Sequence, residues 1–291
     1  MTGRTLRLAT RSSAQARTQA QSVADALAAA HPGLSVELVF VDTTGDQRQD
    51  VPLHTIGGQG VFVKEVQRAV LDGRADLAAH SAKDMPSAAT EGLEIGAFCH
   101  RRSASDALVG LPLARLPEGA TVATGSVRRR AQLALVRPDL RLVELRGNIQ
   151  TRLSKLPEGG SIVMAVAALE ILGMADRIAQ VLPVDEFVPA VGQGCVAVEC
   201  AADAPDVAAL LAAVDDPTTR RSVEAERAFL RTFGTGCSLP IGAHLVGDVL
   251  HVFLADPATG RWQRRAESVD PHDPNGEAAR IAAGMLAELH G

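Results

Sequence analysis

Twice in this chain an apolar strand runs through Ala-Thr into a serine that opens a helix, with arginine close by. The first instance is Leu6-Arg7-Leu8-Ala9-Thr10 followed by Arg11-Ser12-Ser13; the second is Thr121-Val122-Ala123-Thr124-Gly125-Ser126 followed by Arg128, Arg129 and Arg130. A strand, tight turn and helix start that recur in this way confine the chain to an α/β architecture with two similar halves. Each helix start combines free amides, the positive end of a dipole, a hydroxyl and an arginine, which suits an anion. The plainer alternative at each is a serine N-cap beside a surface arginine.

The remaining pattern arranges these halves around a hinge. Ala16, Ala20, Val23 and Leu27 recur at helical spacing up to His31-Pro32-Gly33, Ser35 to Val41 reads as a strand, and a polar segment with Gly57-Gly58-Gln59-Gly60 leads into a helix ending at Leu71. That glycine-rich segment lacks the G-x-x-x-x-G-K-[ST] spacing of a phosphate loop. Ala75 to His80 and Leu93 to Phe98 are further strands, and Arg101-Arg102-Ser103 reads as a linker. In the second half, Arg141 to Glu144 and Ile162 to Ala165 are strands, and Pro189 to Gly194 marks a second crossing into the strand Cys195 to Cys200. Two crossings return the chain to its first domain, as in bilobed binding proteins with a cleft at the hinge. From Thr218 a helix over Arg221 to Phe233, a loop, a hairpin around Pro257 to Gly260 and a helix over Glu277 to Leu289 make a small α/β unit. The expected division is 1–98, 99–191, a return segment 192–217, and 218–291.

Charge narrows the ligand class. The 291 residues carry a net charge of −5, yet residues 101–155 hold ten Arg and one Lys against Asp106, Glu118, Asp139 and Glu144. That segment is therefore +7 and the remainder −12. The asymmetry points to an anionic partner, a nucleic acid or a small polyacid. Nucleic acid is disfavoured because the basic segment has no aromatic residue for base stacking. The most apolar run, Ile162 to Leu172, is short and contains Glu170, and Met1 to Thr10 has no apolar leader core, so a soluble cytoplasmic protein without membrane contact is expected. Cys99, Cys195, Cys200 and Cys237 form no C-x-x-C pair, and Cys195 and Cys200 on one strand face opposite ways, so no metal site or disulfide framework is indicated.

Two stretches carry candidate chemistry. Ala79-His80-Ser81-Ala82-Lys83-Asp84-Met85-Pro86 delivers a Lys-Asp pair from a strand end into a proline-bounded loop, where the competing reading of Asp84 is a turn residue. Gly236-Cys237-Ser238 places a thiol in a glycine-rich loop, either as an accessible nucleophile or as a small buried hydrophobe.

Taken in order, these residues resemble one family, the porphobilinogen deaminases, also called hydroxymethylbilane synthases. The matches are Ala9-Thr10-Arg11 with Ser13, His31-Pro32-Gly33-Leu34, Phe62-Val63-Lys64-Glu65, Arg74-Ala75-Asp76, His80-Ser81 with Lys83-Asp84 and Pro86, and Ser126 with Arg128-Arg129. They continue through Leu145-Arg146-Gly147-Asn148, Thr151 to Leu156, Pro189 to Gly194, Ala225-Glu226-Arg227-Ala228, and Gly236-Cys237 with Pro240-Ile241-Gly242. The resemblance implies a three-domain α/β enzyme whose first two domains are similar to bilobed type-2 periplasmic binding proteins and whose third is a small α/β domain with an antiparallel sheet. It implies a dipyrromethane cofactor joined by a thioether to Cys237, and a reaction that condenses four porphobilinogen molecules head to tail, releases ammonia each time, and ends in hydrolysis to hydroxymethylbilane for tetrapyrrole synthesis. By the same resemblance Asp84 is catalytic. Lys83, Ser126, Arg128, Arg129 and Arg152 bind the cofactor, Arg11, Ser13, Gln19 and Arg146 bind substrate, and the protein is a monomer with no metal.

Physical reasons accompany these roles. Each porphobilinogen carries acetate and propionate, so a growing chain gathers carboxylates that charge-assisted arginine contacts hold at about 1.5–3 kcal/mol each. Loss of ammonia leaves a cationic azafulvene, whose charge a carboxylate stabilises as it develops. The chain departs from the family's usual pattern, which has lysines near Thr55 and Gln59, arginine near Ile171, leucine at Gln15 and serine at Gly125. These departures leave a second expectation open, a diverged non-catalytic anion-binding paralogue on the same scaffold.

Overall fold

The structure is a computed structural model and describes residues 3–43, 60, 62–234 and 240–290. The first lobe is built from β1 (Arg4–Arg11), α1 (Ala14–Ala30), β2 (Leu34–Val41), α2 (Lys64–Leu71), β3 (Leu77–Ser81), a one-turn 3₁₀ helix (Ala82–Asp84) and β4 (Leu93–Phe98). The second contains β5 (Asp106–Gly110), β6 (Thr121–Ala123), α3 (Val127–Val136), β7 (Arg141–Val143), α4 (Ile149–Ser154), β8 (Ser161–Ala165), α5 (Val166–Glu170) and β9 (Ile178–Leu182). The chain then returns through β10 (Val196–Ala201) and α6 (Pro205–Leu211). The last unit has α7 (Pro217–Arg231), β11 (Ile241–Val246), β12 (Val249–Ala255), β13 (Trp262–Ser268) and α8 (Pro274–His290).

The two large sheets follow one plan. Their orders are β2-β1-β3-β10-β4 and β7-β6-β8-β5-β9. In each, three strands pair in parallel, as in Leu6↔Val36 and Leu8↔Leu77 of the first and Val122↔Leu142 and Val122↔Ser161 of the second. The fourth place is taken by an antiparallel strand that has just crossed the hinge: β10 against β3 and β4, and β5 against β8 and β9. The repeat seen in the sequence is thus a repeat of topology, and the fold is the expected bilobed α/β arrangement. The inner strands β3 and β8 are buried without alternation because helices cover both faces of such sheets. Leu8, Leu27, Leu77 and Leu211 lie in the core of the first lobe. The core of the second lobe has Leu108, Leu133, Ile162 and Leu169. Cys200 of β10 and Cys195, which stands just before that strand, join different core clusters.

The third unit is an antiparallel sheet in the order β11-β12-β13, with Phe229 of α7 and Met285 of α8 packed on Leu250, Val252 and Leu254. Helix α7 starts four residues before the expected Arg221, because the Asp216 carboxylate accepts from the Thr219 amide at 2.7 Å and Pro217 sits in the first turn. Strands β5, β9 and β11 and helices α4 and α6 are additions to the expected elements.

The two crossings lie side by side, with the Cys99 amide donating to the Val196 carbonyl and the Arg102 amide to the Gly194 carbonyl at 3.0 Å. Glu226 of α7, fully buried, ties both to the third unit. It accepts from Arg101 at 2.6 and 3.0 Å, from the Gly192 amide at 2.8 Å, and from the Leu245 amide at 3.1 Å, with His244 Nδ1 at 3.0 Å.

Candidate active site

The Lys-Asp pair sits where β3 meets the hinge. The Ala82 amide donates to the Cys195 carbonyl at 3.0 Å, the buried side chains of Ala82 and Met85 anchor the 3₁₀ turn, and Arg227 of α7 donates to the Pro86 carbonyl at 2.8 Å. Gly192, at φ +69, lies directly on this turn: a Cβ there would stand 3.0 Å from that of Ala82. The turn is therefore pinned at its start, along its length and at its exit, leaving Lys83 and Asp84 half-buried.

Helix ends bring the other groups toward it. The Ser13 hydroxyl caps α1 by accepting from the Ala16 amide, and Ser126 caps α3 by accepting from the Arg129 amide, each at 3.3 Å. Each hydroxyl proton is left to donate elsewhere. Gln19 of α1 accepts from Ser81 at 3.0 Å, joining that helix to the strand that carries the Lys-Asp pair. Arg11 lies 4.1 Å over the Phe62 ring, and Arg152 of α4 donates from Nε to the Gly147 carbonyl at 2.8 Å.

Electrostatics shows which groups share one space. Burial in the cleft, aided by Arg129 and Arg152, pulls the Lys83 ammonium down to about 8, against the pull of Asp84 and Asp106. Although its accessible surface leaves it only partly covered, it lies deep between the lobes. Arg152 is held at about 10 by burial first, then by Arg129, Arg146 and Arg11, with Asp84 opposing. Arg11, Lys83, Asp84, Arg129, Arg146 and Arg152, drawn from both lobes, thus act on one another across the hinge. Such crowded cations stay charged more readily when carboxylates enter among them.

Arg128 is turned away from this group. It donates to the Val188 carbonyl at 2.6 Å and to Asp106 at 2.7 Å, while Arg129 donates to Asp106 from two nitrogens at 3.0 and 2.6 Å and to the Val163 carbonyl at 2.9 Å. Burial would raise the Asp106 pKa, but Arg128 and Arg129 outweigh it and hold the carboxyl far below the usual range. Asp106, Gln193, Glu226 and Arg227 were not among the expected site residues. The one signal for Asp106 is that it is one of only four acids in a strongly cationic segment. Cys237, Thr55 and Gln59 lie outside the described residues.

The departure at Gly125 has a local explanation. A Cβ there would come 2.7 Å from the Leu145 carbonyl oxygen and 2.8 Å from Glu144 Oε1, so the adjoining strand end already fills the place of a serine. Ile171 follows α5 as its C-cap. Among the described residues no cluster of His, Cys, Asp and Glu could hold a metal ion.

Comparison with known proteins gives the site a context. A model for the porphobilinogen deaminase, dipyrromethane cofactor binding domain matches residues 6–209, and one for the porphobilinogen deaminase C-terminal domain matches 221–253. A porphobilinogen deaminase of Roseiflexus sp. (strain RS-1) is 45% identical over 290 residues, covering 97% of this chain and 96% of the relative. One from Nitratidesulfovibrio vulgaris is 44% identical over 292 residues, covering 97% and 92%. Likeness to solved structures is lower: a nutrient binding protein from Burkholderia cenocepacia bound to methionine has a TM-score of 0.44 and 14% identity, over 74% of this chain and 93% of the other. The fold assignment rests on the sheet topology instead. Two family models matched in order, with relatives alike nearly end to end, establish that this chain belongs to the porphobilinogen deaminase family.

Proposed function

We propose that the chain is a porphobilinogen deaminase that condenses four porphobilinogen molecules with loss of ammonia and releases hydroxymethylbilane by hydrolysis. The observation that carries this reading is the cleft itself: at the hinge Asp84 stands against Lys83 of its own turn and Arg152 of the opposite lobe, and Arg129, Arg146 and Arg11 surround Arg152.

The donor set fits a dipyrromethane. Its acetate and propionate groups require several cations and hydroxyls, and Lys83, Arg129, Arg152 and the Ser126 hydroxyl meet that need. Cys237 is the attachment point in this reading. When bound, the group supplies a tethered pyrrole on which the chain grows. Arg11 and Arg146, with the Ser13 hydroxyl and Gln19, orient the incoming porphobilinogen by its carboxylates. Arg128 serves at one remove, by sharing Asp106 with Arg129 and fixing its direction. Asp84, rigidly carried on its turn, faces the positive charge that develops on a pyrrole as ammonia departs. Preorganised charge of this kind contributes about 2.7–4 kcal/mol where it has been removed from other enzymes.

The division 1–98, 99–191, 192–217 and 218–291 is supported by the sheet membership of the strands. The reading includes a cytoplasmic monomer; separately, no helix among the described residues is long and apolar enough to cross a membrane. The test is turnover: purified protein given porphobilinogen releases ammonia and forms a bilane that closes with loss of water to a porphyrinogen, which added iodine oxidises to a coloured porphyrin for detection. Binding of porphobilinogen without ammonia release would overturn the enzymatic reading.

A further inference from the structure

The second crossing carries a glutamine that the reaction as described does not use. Gln193 is 1% exposed. Its amide nitrogen donates to the Ala104 carbonyl at 2.7 Å and to Asp106 Oδ1 at 2.9 Å. Both partners can only accept, so the amide has one orientation, and its oxygen must point the other way. There it receives the Lys83 ammonium in a long hydrogen bond of 3.4 Å. The residue's backbone is also fixed, its amide donating to the Ala190 carbonyl at 3.0 Å and its carbonyl accepting from Arg101 Nε at 2.9 Å.

A line of alternating donors and acceptors therefore runs across the hinge, from Arg129 through Asp106 and Gln193 to Lys83. Each link polarises the next: the anionic carboxylate draws on the amide N–H and sharpens the negative end of the carbonyl that faces the ammonium. We propose that Gln193 is a positioning residue that, anchored by Asp106, holds Lys83 toward the cleft as a cation and joins it to the arginine pair of the opposite lobe. This inference rests on the deaminase reading for its purpose, since a charged Lys83 is what a carboxylate-bearing ligand needs.

The groups that act on Lys83 set the sign of the test. Asp84 on its own turn and Asp106 on β5 favour the ammonium, while Arg129 on α3, Arg152 on α4 and burial oppose it. Removing the carbonyl oxygen tips that balance toward the neutral amine. The experiment compares the holoenzyme with its Gln193→Met and Gln193→Glu variants. Acetic anhydride labels Lys83 across a pH series, peptide mass spectrometry reads the extent, and the alkaline limb of kcat/KM is recorded beside it. In Gln193→Met the labelling midpoint falls by roughly half a pH unit or more, and the alkaline limb follows it. In Gln193→Glu, which also loses the amide donor but keeps an oxygen toward Lys83, the midpoint does not fall. An unchanged midpoint in Gln193→Met, or an equal fall in both variants, overturns the proposal. Labelling is read without turnover, so a wild-type protein that releases no ammonia would strike the deaminase reading and leave this test standing.

Discussion

Replacing Glu226 by Gln probes the junction on which the cleft depends. The carboxylate is fully buried and accepts from Arg101, the Gly192 amide and the Leu245 amide, with His244 beside it. A glutamine has one acceptor oxygen where two are used, so its NH₂ must face donors whichever way it turns, and Arg101 loses its counter-charge. Two routes give the cost. Breaking a buried ion pair by removing one partner costs about 3–5 kcal/mol. Independently, burial would raise the Glu226 pKa, but Arg101 and then His244 overcome this and bring it from 4.5 to about 2, which at about 1.4 kcal/mol per unit corresponds to about 3 kcal/mol. The routes agree. The sign follows from the depressed pKa: the contribution is complete above about 4.5 and disappears as pH falls toward about 2. Urea unfolding of wild type and Glu226→Gln over a pH series measures it, with an expected gap of about 3 kcal/mol at neutral pH that closes in acid. A gap below about 1 kcal/mol, or one that does not change with pH, would refute the assignment of Glu226 as a charged clamp.

Three further outcomes are expected. Asp84→Asn folds as wild type, because the turn is held by its neighbours, but single-turnover condensation of porphobilinogen slows by about 10² to 10³; an unaffected rate moves the catalytic role elsewhere. Gly125→Ser restores the family's usual residue yet lowers stability by about 1–3 kcal/mol in thermal melts, since its Cβ meets the Leu145 carbonyl oxygen and Glu144. Gly192→Ala is strained by its φ of +69 and by the approach to Ala82, so it costs about 1–3 kcal/mol in the same melts and displaces the Lys-Asp turn, seen as reduced kcat.

The sequence disclosed the parts of the molecule that local pattern determines. Two strand-turn-helix repeats, two crossings and a cationic segment led to a bilobed α/β fold with cations gathered at the hinge, because helix caps, glycine stops and periodicity act over a few residues. What stayed hidden depends on partners distant in the chain. Strand β5 begins with an aspartate and has five residues, too few for periodicity to declare it, and its place is set by antiparallel pairing with Ser161–Ala165. Arg128 and Arg129 look alike in sequence, yet only in three dimensions does Asp106 claim both, with Arg128 also donating to the Val188 carbonyl and Arg129 to the Val163 carbonyl, and only Arg129 bears on Lys83 and Arg152. Gln193 stood inside a recognised crossing, but its use follows from Ala104 and Asp106, 89 and 87 residues earlier. Gly125, a departure from the family's usual serine, is explained by the carboxylate and carbonyl that occupy its surroundings.

The central claim is that this cleft elongates a pyrrole chain tethered at Cys237, and intact-mass spectrometry of the purified protein tests it most directly. The account predicts a mass above that of the sequence by one dipyrromethane, absent from Cys237→Ser, and a ladder of further additions when wild type meets porphobilinogen. A wild-type protein at its bare sequence mass that acquires no adduct on exposure to porphobilinogen would contradict it.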